Sequence, residues 1–323
     1  MNTTQTEPQT EGNTLPLVSV IILNYNGSHF IRRCLNTVLS DPYHPKETIL
    51  VDNASSDDSL AIAREFQDQI TIVENRHNFG FPKGCNQGIK LARGEIIVLL
   101  NIDTAVRESW LEELVKPLLH DPRTGLVGSK LLFLDGKHIQ FAGGRMEPNC
   151  LTNHEGYGYE DLGNFNEPRE VEYVTGASMA IRKEVLDKVG NLDEGFPLYF
   201  EDIALCVSAK QLGYRVRYQP TSVVLHFETY GTPKHSFRYY YRYHRGRMRF
   251  LLKHFGLRYF LFRFLPAEIA WYTRCRFTQQ FPPACCAYIT QFPKAPFFWV
   301  TGFFRRRFKQ KPIQFLDKQE QSA

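Results

Sequence analysis

Residues 95–104 read EIIVLLNIDT, and this stretch decides the fold. Ile96 to Leu100 are all apolar and partly β-branched, the pattern of a strand buried on both faces. The run stops abruptly at Asn101-Ile102-Asp103. Alternation along an extended chain puts Asn101 and Asp103 on one side. An acid at the carboxyl end of a buried strand lies where open α/β sheets bind ligands. There it can hold a divalent cation against a diphosphate. The competing reading is an Asp that only caps the helix beginning near Glu108 to Trp110.

The same architecture occurs three times upstream. Val18 to Leu23 ends in Asn24-Tyr25-Asn26-Gly27, and Glu47 to Val51 ends in Asp52-Asn53. Ile70 to Val73 is followed by Glu74-Asn75-Arg76-His77-Asn78-Phe79-Gly80. Repeated polar, Gly- and Asp-bearing strand ends predict one shared site at one sheet edge. Helical spacing is predicted over 28–39, 57–66, 83–92 and 111–119. Strand–helix alternation over 16–135 implies an α/β domain with a Rossmann-like, mostly parallel sheet flanked by helices. Beyond it, Leu126 to Phe133 reads as a strand, and 171–181 as a strand pair broken at Gly176. Residues 183–189 and 203–212 read as helices, and 214–218 and 223–226 as two short strands. Residues 136–170 lack periodicity and read as a long irregular segment near the site.

The chain has 323 residues, enough for one large α/β domain with an appendage. Its 43% hydrophobic and 23% charged content fit a folded protein. Seven cysteines lack metal-ligand spacing and read as reduced thiols in a cytosolic setting. Residues 1–14 are polar with no apolar core, so they read as a disordered tail and not a signal peptide. The net charge of +5 hides an asymmetry. Residues 237–311 hold 16 Lys/Arg against one acid, Glu268, and 23 of the 44 aromatics. That change of composition divides the chain into a 1–15 tail, a 16–236 catalytic-type domain, a 237–311 helical appendage and a 312–323 tail.

Seven motifs in order carry a resemblance: VSVIILNYNG, ILVDNASSDDS, NFGFPKGCNQGI, VLLNIDT, TGASMAIRKEVLDKVGNLDEGF, YFEDIALC and HFETYG. As a set they resemble the inverting glycosyltransferases of family 2, which have the GT-A fold. The subgroup they most resemble includes bacterial rhamnosyltransferases of cell-surface polysaccharide assembly. The resemblance implies a sugar transferred from a pyrimidine nucleoside diphosphate to a hydroxyl of a glycan or lipid-linked glycan. It implies that Asn24 and Asn26 line the nucleotide, and that Asp52, with Asn53 beside it, binds the pyrimidine ring. An Asx-turn at 53–55 is the alternative for that acid. Asn78, Gly80 and the segment from Lys83 to Asn86, Gly84 included, would lie over the nucleotide and ribose. The two glycines read equally as turn glycines. Asn101 and Asp103 resemble the metal signature, with Mg²⁺ or Mn²⁺ as the implied cofactor. His226 resembles a further metal or diphosphate contact, against the alternative of a hydrogen-bonded core histidine. Gly176 and Ala177, after Thr175, resemble the turn near the donor sugar. Asp202 resembles the base that takes the acceptor proton, with Glu201 as the neighbour able to replace it.

The chain departs from the family pattern at Ala204 and Ser208, where an acid and a base are usual. That departure keeps open a non-catalytic nucleotide-sugar-binding or scaffold subunit. A soluble enzyme of sugar-nucleotide synthesis is a third reading. Tyr157, Tyr159 and residues 145–170 are candidates for shaping acceptor choice. In the appendage, Arg238, Arg242, Arg245, Arg249 and Lys253 fall on one helical face. No apolar run reaches membrane-spanning length. Basic aromatic helices suit an anionic membrane surface, so the expected location is peripheral, on the inner face of the cell membrane. Packing on the catalytic domain or on a partner is the alternative. No nucleic-acid motif accompanies the charge.

Overall fold

The structure, a computed structural model, describes residues 15–299 apart from 197, 228–234 and 277. Both tails and the end of the HFETYG motif lie outside the described residues.

The apolar runs form the strands that their composition predicts. β1 (Val18–Asn24), β2 (Lys46–Asp52), β3 (Thr71–Glu74) and β4 (Ile96–Asn101) lie side by side in the order β4-β1-β2-β3, all parallel. Their crossovers are α1 (Ile31–Ser40), α2 (Ser59–Arg64) and α3 (Phe81–Leu91). Because β1 sits between β4 and β2, the chain order reverses there. Crevices at such reversals are where α/β sheets bind ligands. Register aligns the strand ends: Asn24 faces Asp52, and Leu23 faces Asn101.

The second half extends the sheet. β5 (Thr104–Val106), α4 (Trp110–His120) and β6 (Thr124–Leu132) precede the short β7 (Ile139–Phe141). The hairpin β8 (Gly144–Met146) and β9 (Thr152–His154) follows, then β10 (Arg169–Glu170) and β11 (Ser178–Arg182). Two helices, α5 (Lys183–Val189) and α6 (Glu201–Gln211), lead to β12 (Arg215–His226). β11 inserts antiparallel between β4 and β6, and β12 runs parallel to β6. The α/β fold expected from the sequence is therefore present.

Three local expectations are corrected. Residues 136–170 are not irregular throughout, since β7 pairs with β6 and β10 with β12. Buried Lys130 also ties the segment down, donating to Asp161 at 2.9 Å. The two strands expected at 214–226 are one strand, whose register shifts between Gln219 and Val223 to absorb Pro220. The pair expected at 171–181 is one strand, β11, preceded by a turn.

The appendage is helical: α7 (Phe237–His254), then α8 (Leu257–Tyr259), a π turn (Phe260–Phe264) and α9 (Leu265–Cys275) without a break, then α10 (Phe281–Gln291). Pro266 lacks an N–H, and the wider turn before it is a common accommodation. Among the described residues, no helix is long and apolar enough to cross a membrane. The basic face expected on α7 is partly spent internally. Arg249 and Lys253 both pair with Asp193, at 3.2 and 2.8 Å. Burial works against ionised Asp193, but Lys253, the Gly195 N–H and Arg249 together outweigh it and hold the carboxyl down at about 2. Arg247 is fully buried and forks onto Glu268 at 2.6 and 3.0 Å. Asn149 Nδ2 donates to the same carboxylate at 2.9 Å. The compositional boundary at 237 is thus crossed by dense packing.

Candidate active site

A first polar cluster is built where β1 and β2 stop. Asp52 is buried, and its carboxylate accepts from Asn24 Nδ2 at 2.7 Å, Ser55 Oγ at 2.6 Å and Ser55 N at 3.0 Å. Asn24 Nδ2 also reaches Ser59 Oγ at 2.8 Å. Asn24 has no exposed surface and orients the equally buried Asp52. Asn26 adopts the left-handed conformation (φ 54°) and accepts from Ser56 N at 2.7 Å. Asn53 donates to Asn78 at 2.9 Å and accepts from Phe79 N at 3.0 Å. Asn53 and Asn78 therefore staple the end of β2 to the start of α3, whereas Asn26 holds the loop before α2. Gly80, with φ 81°, supplies the turn that opens that helix.

Two expected donor residues have packing roles instead. A Cβ on Gly84 would meet Leu23 Cδ1 at 2.4 Å, so this glycine seats α3 against β1. Asn86 is buried, donates to Leu192 O at 2.9 Å and accepts from Leu192 N at 3.0 Å. Its amide fastens α3 to the 190s loop, over 100 residues away.

The cation end gathers three expected residues. β12 pairs with β5 so that His226 faces Thr104, and Phe227 N donates to Asp103 O at 2.9 Å. His226 Nε2 then lies 3.3 Å from Asp103 Oδ1 and 3.3 Å from Asn101 Nδ2. On its other side, Nδ1 donates to Gln140 Oε1 at 2.6 Å. That bond turns Nδ1 toward Gln140 and leaves Nε2 as the ring nitrogen facing Asp103 and Asn101. The donor set fits a divalent cation that takes further oxygens from a diphosphate and water. Among the described residues, no three His, Cys, Asp or Glu side chains gather as a complete protein cage.

A pair of adjacent carboxyl groups sits at the start of α6. Tyr199 and Phe200 are both left-handed, with φ 67° and 72°, a conformation costing non-glycine residues of order 1–3 kcal/mol each. Packing holds them there. The Phe200 ring lies 5.3 Å from Tyr243 and 5.6 Å from Phe250 of α7. Gly246 leaves room for that turn, since a Cβ there would meet Tyr199 O at 3.0 Å. Asp202 is half-buried and accepts from Gly176 N at 3.0 Å and Ile203 N at 2.8 Å. Burial pushes its carboxyl above the ordinary range, with these N–H donors opposing. Glu201 is buried, and its Oε2 has no hydrogen-bond partner. Burial, then the charge of Asp202, pushes Glu201 well up. Of the two carboxyls, that of Glu201 is the more enclosed. Ala204 is buried, so its small side chain belongs to the packing beneath α6.

One turn joins the carboxyl pair to the cation end. Gly176 N reaches Asp202, and Ala177 O accepts from Asn101 N at 3.1 Å. Sequence reasoning did not find Ser55, Ser59 or Gln140. The two serines lie in the quoted ILVDNASSDDS motif and could have been found there. Gln140 lies in a three-residue strand with no pattern of its own.

The glycosyl transferase family 2 model matches residues 19–190. The O-antigen biosynthesis protein RfbC of Myxococcus xanthus is 30% identical over 66% of this chain and 17% of its own length. Glycosyltransferase AglE of Haloferax volcanii is 31% identical over 55% of this chain and 56% of its own. The chain thus spans little more than half, or far less, of these curated relatives. Among solved structures, the mannosyltransferase PcManGT from Pyrobaculum calidifontis, in complex with GDP-Man and Mn²⁺, superposes with a TM-score of 0.57 at 20% identity. That match covers 92% of this chain and 82% of the other. At such identity it shows a shared fold. With the family model matching more than half of its length, the chain belongs to glycosyl transferase family 2.

Proposed function

We propose that the protein is an inverting glycosyltransferase. It takes a pyrimidine nucleoside-diphosphate sugar, a UDP- or dTDP-sugar with dTDP-rhamnose among the candidates. It passes the sugar to a hydroxyl of a glycan or lipid-linked glycan at the inner face of the cell membrane. The observation that carries the reading is the turn at 176–177, hydrogen-bonded to Asp202 on one side and to Asn101 on the other. That link between the Asp202 carboxylate and the strand that ends in Asn101 supports a direct displacement.

In this reading the acceptor oxygen forms a bond to the anomeric carbon while the bond from that carbon to the diphosphate oxygen breaks. Asp202 takes the acceptor proton, and the electron pair leaves with the diphosphate. Asp103 and His226 would hold Mg²⁺ or Mn²⁺, which supplies positive charge for the departing diphosphate. Gln140 would orient the His226 ring, with Nε2 toward the cation. Asp52, set by Asn24 and Ser55, would accept from the pyrimidine ring. The name of RfbC, an O-antigen biosynthesis protein, supports a cell-surface glycan as acceptor. The Mn²⁺ with PcManGT supports the metal.

The test is a thermal-shift panel of UDP-, dTDP- and GDP-sugars with and without Mn²⁺, on wild type and Asp103→Ala. Stabilisation by the pyrimidine donors that needs Mn²⁺, and is lost in the variant, is expected. Equal stabilisation by GDP-sugars, or unchanged Mn²⁺ dependence in Asp103→Ala, would overturn the donor or metal assignment. Saturable binding with no turnover on supplied lipid-linked acceptors would favour the scaffold reading, to which Ala204 and Ser208 lend weight.

A further inference from the structure

The helical run from Leu257 to Cys275 wears its polarity inside out. Phe264, Glu268 and Cys275 face inward and are buried. The exposed positions include Leu257 (51% exposed), Leu261 (44%), Phe262 (74%), Leu265 (38%) and Ile269 (58%). Leu257, Leu261, Leu265 and Ile269 recur every four residues, which is one helical stripe. A helix on a soluble surface ordinarily turns its apolar stripe to the core and its charges to water. Here the one acid of the segment, Glu268, is the inward group, bound to Arg247. The charges left outside are cationic: Arg258, Arg263 and Arg274 are exposed.

We propose that this outward face of α8–α9 is a membrane-docking surface. It lies flat in the interfacial layer of an anionic bilayer, with Leu261 and Phe262 at its centre. The inference rests on the membrane location proposed above and names the surface that makes the contact. Two observations favour lipid over other occupants. The exposed face combines apolar side chains with arginines and carries no acid, the composition that suits anionic headgroups over an acyl boundary. A second copy would bring like charge against like, because residues 237–311 hold 16 basic residues and one acid. The proposal also relocates the contact. Arg249 and Lys253 of α7 are tied to Asp193, so the apolar stripe and not the α7 basic face leads the docking.

The test is flotation of the full chain with neutral and anionic phosphatidylglycerol-containing vesicles at low and high salt. Wild type is compared with Leu261→Glu/Phe262→Glu and, separately, with Ile269→Lys. All three positions are solvent-facing, so little packing is lost. Donor-induced thermal shift confirms folding of each variant. Wild type should float with anionic vesicles and keep part of that binding at high salt. The double variant should bind at least about tenfold more weakly. Variants that float like wild type would overturn the proposed face while leaving a membrane location intact. Wild type that ignores anionic vesicles would overturn both, and the donor shifts would still report on the transferase reading. Wild type that elutes as a dimer, with the double variant eluting as a monomer, would instead make the stripe a self-interface and overturn the proposal.

Discussion

Replacing Asp202 by Asn changes one property of the site and leaves most others alone. The carboxylate accepts two backbone hydrogen bonds, from Gly176 N and Ile203 N. An asparagine amide can accept one of them through its oxygen, but its NH₂ would face the other N–H. One hydrogen bond is therefore lost, which costs about 0.5–1.5 kcal/mol of stability. The capacity to accept a proton is lost altogether, which removes roughly 10²–10⁴-fold in turnover. That is about 2.7–5.4 kcal/mol of barrier, several times the stability loss. Donor affinity should hold, because Asp52, Asp103 and His226 are untouched. The assay is release of nucleoside diphosphate with acceptor present, alongside urea unfolding and donor thermal shift. A variant within threefold of wild-type turnover would remove Asp202 from the base role. Loss of turnover that tracks unfolding would show that the residue is structural.

Two further outcomes follow from the buried charges. Glu201 titrates well above its ordinary value in the folded state, so the folded protein keeps a proton that the unfolded chain gives up. Stability should fall as pH rises above the ordinary carboxylate value, towards the folded-state value, by at most about 1.36 kcal/mol per pH unit for this group. Urea midpoints of Glu201→Gln across a pH series should show a flatter decline, with the remaining slope due to Asp202; an unchanged slope would contradict the assignment. Glu268→Ala strands the fully buried Arg247 guanidinium and should cost about 3–5 kcal/mol by chemical denaturation. A loss below about 1 kcal/mol would mean that water reaches Arg247 once its partner is gone.

The strands of the first half were legible because each is a continuous apolar run closed by a polar turn, a pattern that survives without tertiary context. Asp103 and His226 were legible as partners only through their motifs, since 123 positions separate them and the β5–β12 pairing that joins them involves three residues. Residues 136–170 defeated reading because strands of two or three residues have no period to detect. Gly84 and Asn86 were placed over the ligand because their motif position is suggestive. What fixes their roles is a neighbour, Leu23 in one case and Leu192 in the other, that local sequence does not announce. Gln140 escaped for the same reason. On α7 the positive charges were visible, but the Asp193 that neutralises two of them lies in a loop without regular structure.

The contact of α7 with the 193–200 loop governs how this chain can be recombined with its relatives. A seam cut at residue 236, where the composition changes, would separate Asp193 from Arg249 and Lys253 and deprive Phe200 of Tyr243 and Phe250. The left-handed turn that presents Asp202 would lose its clamp, and the half-buried Asp193 carboxylate would lose both of its cations. The loop, α6 and α7 must travel as one cassette, because the backbone conformation before Asp202 is written half in one segment and half in the other.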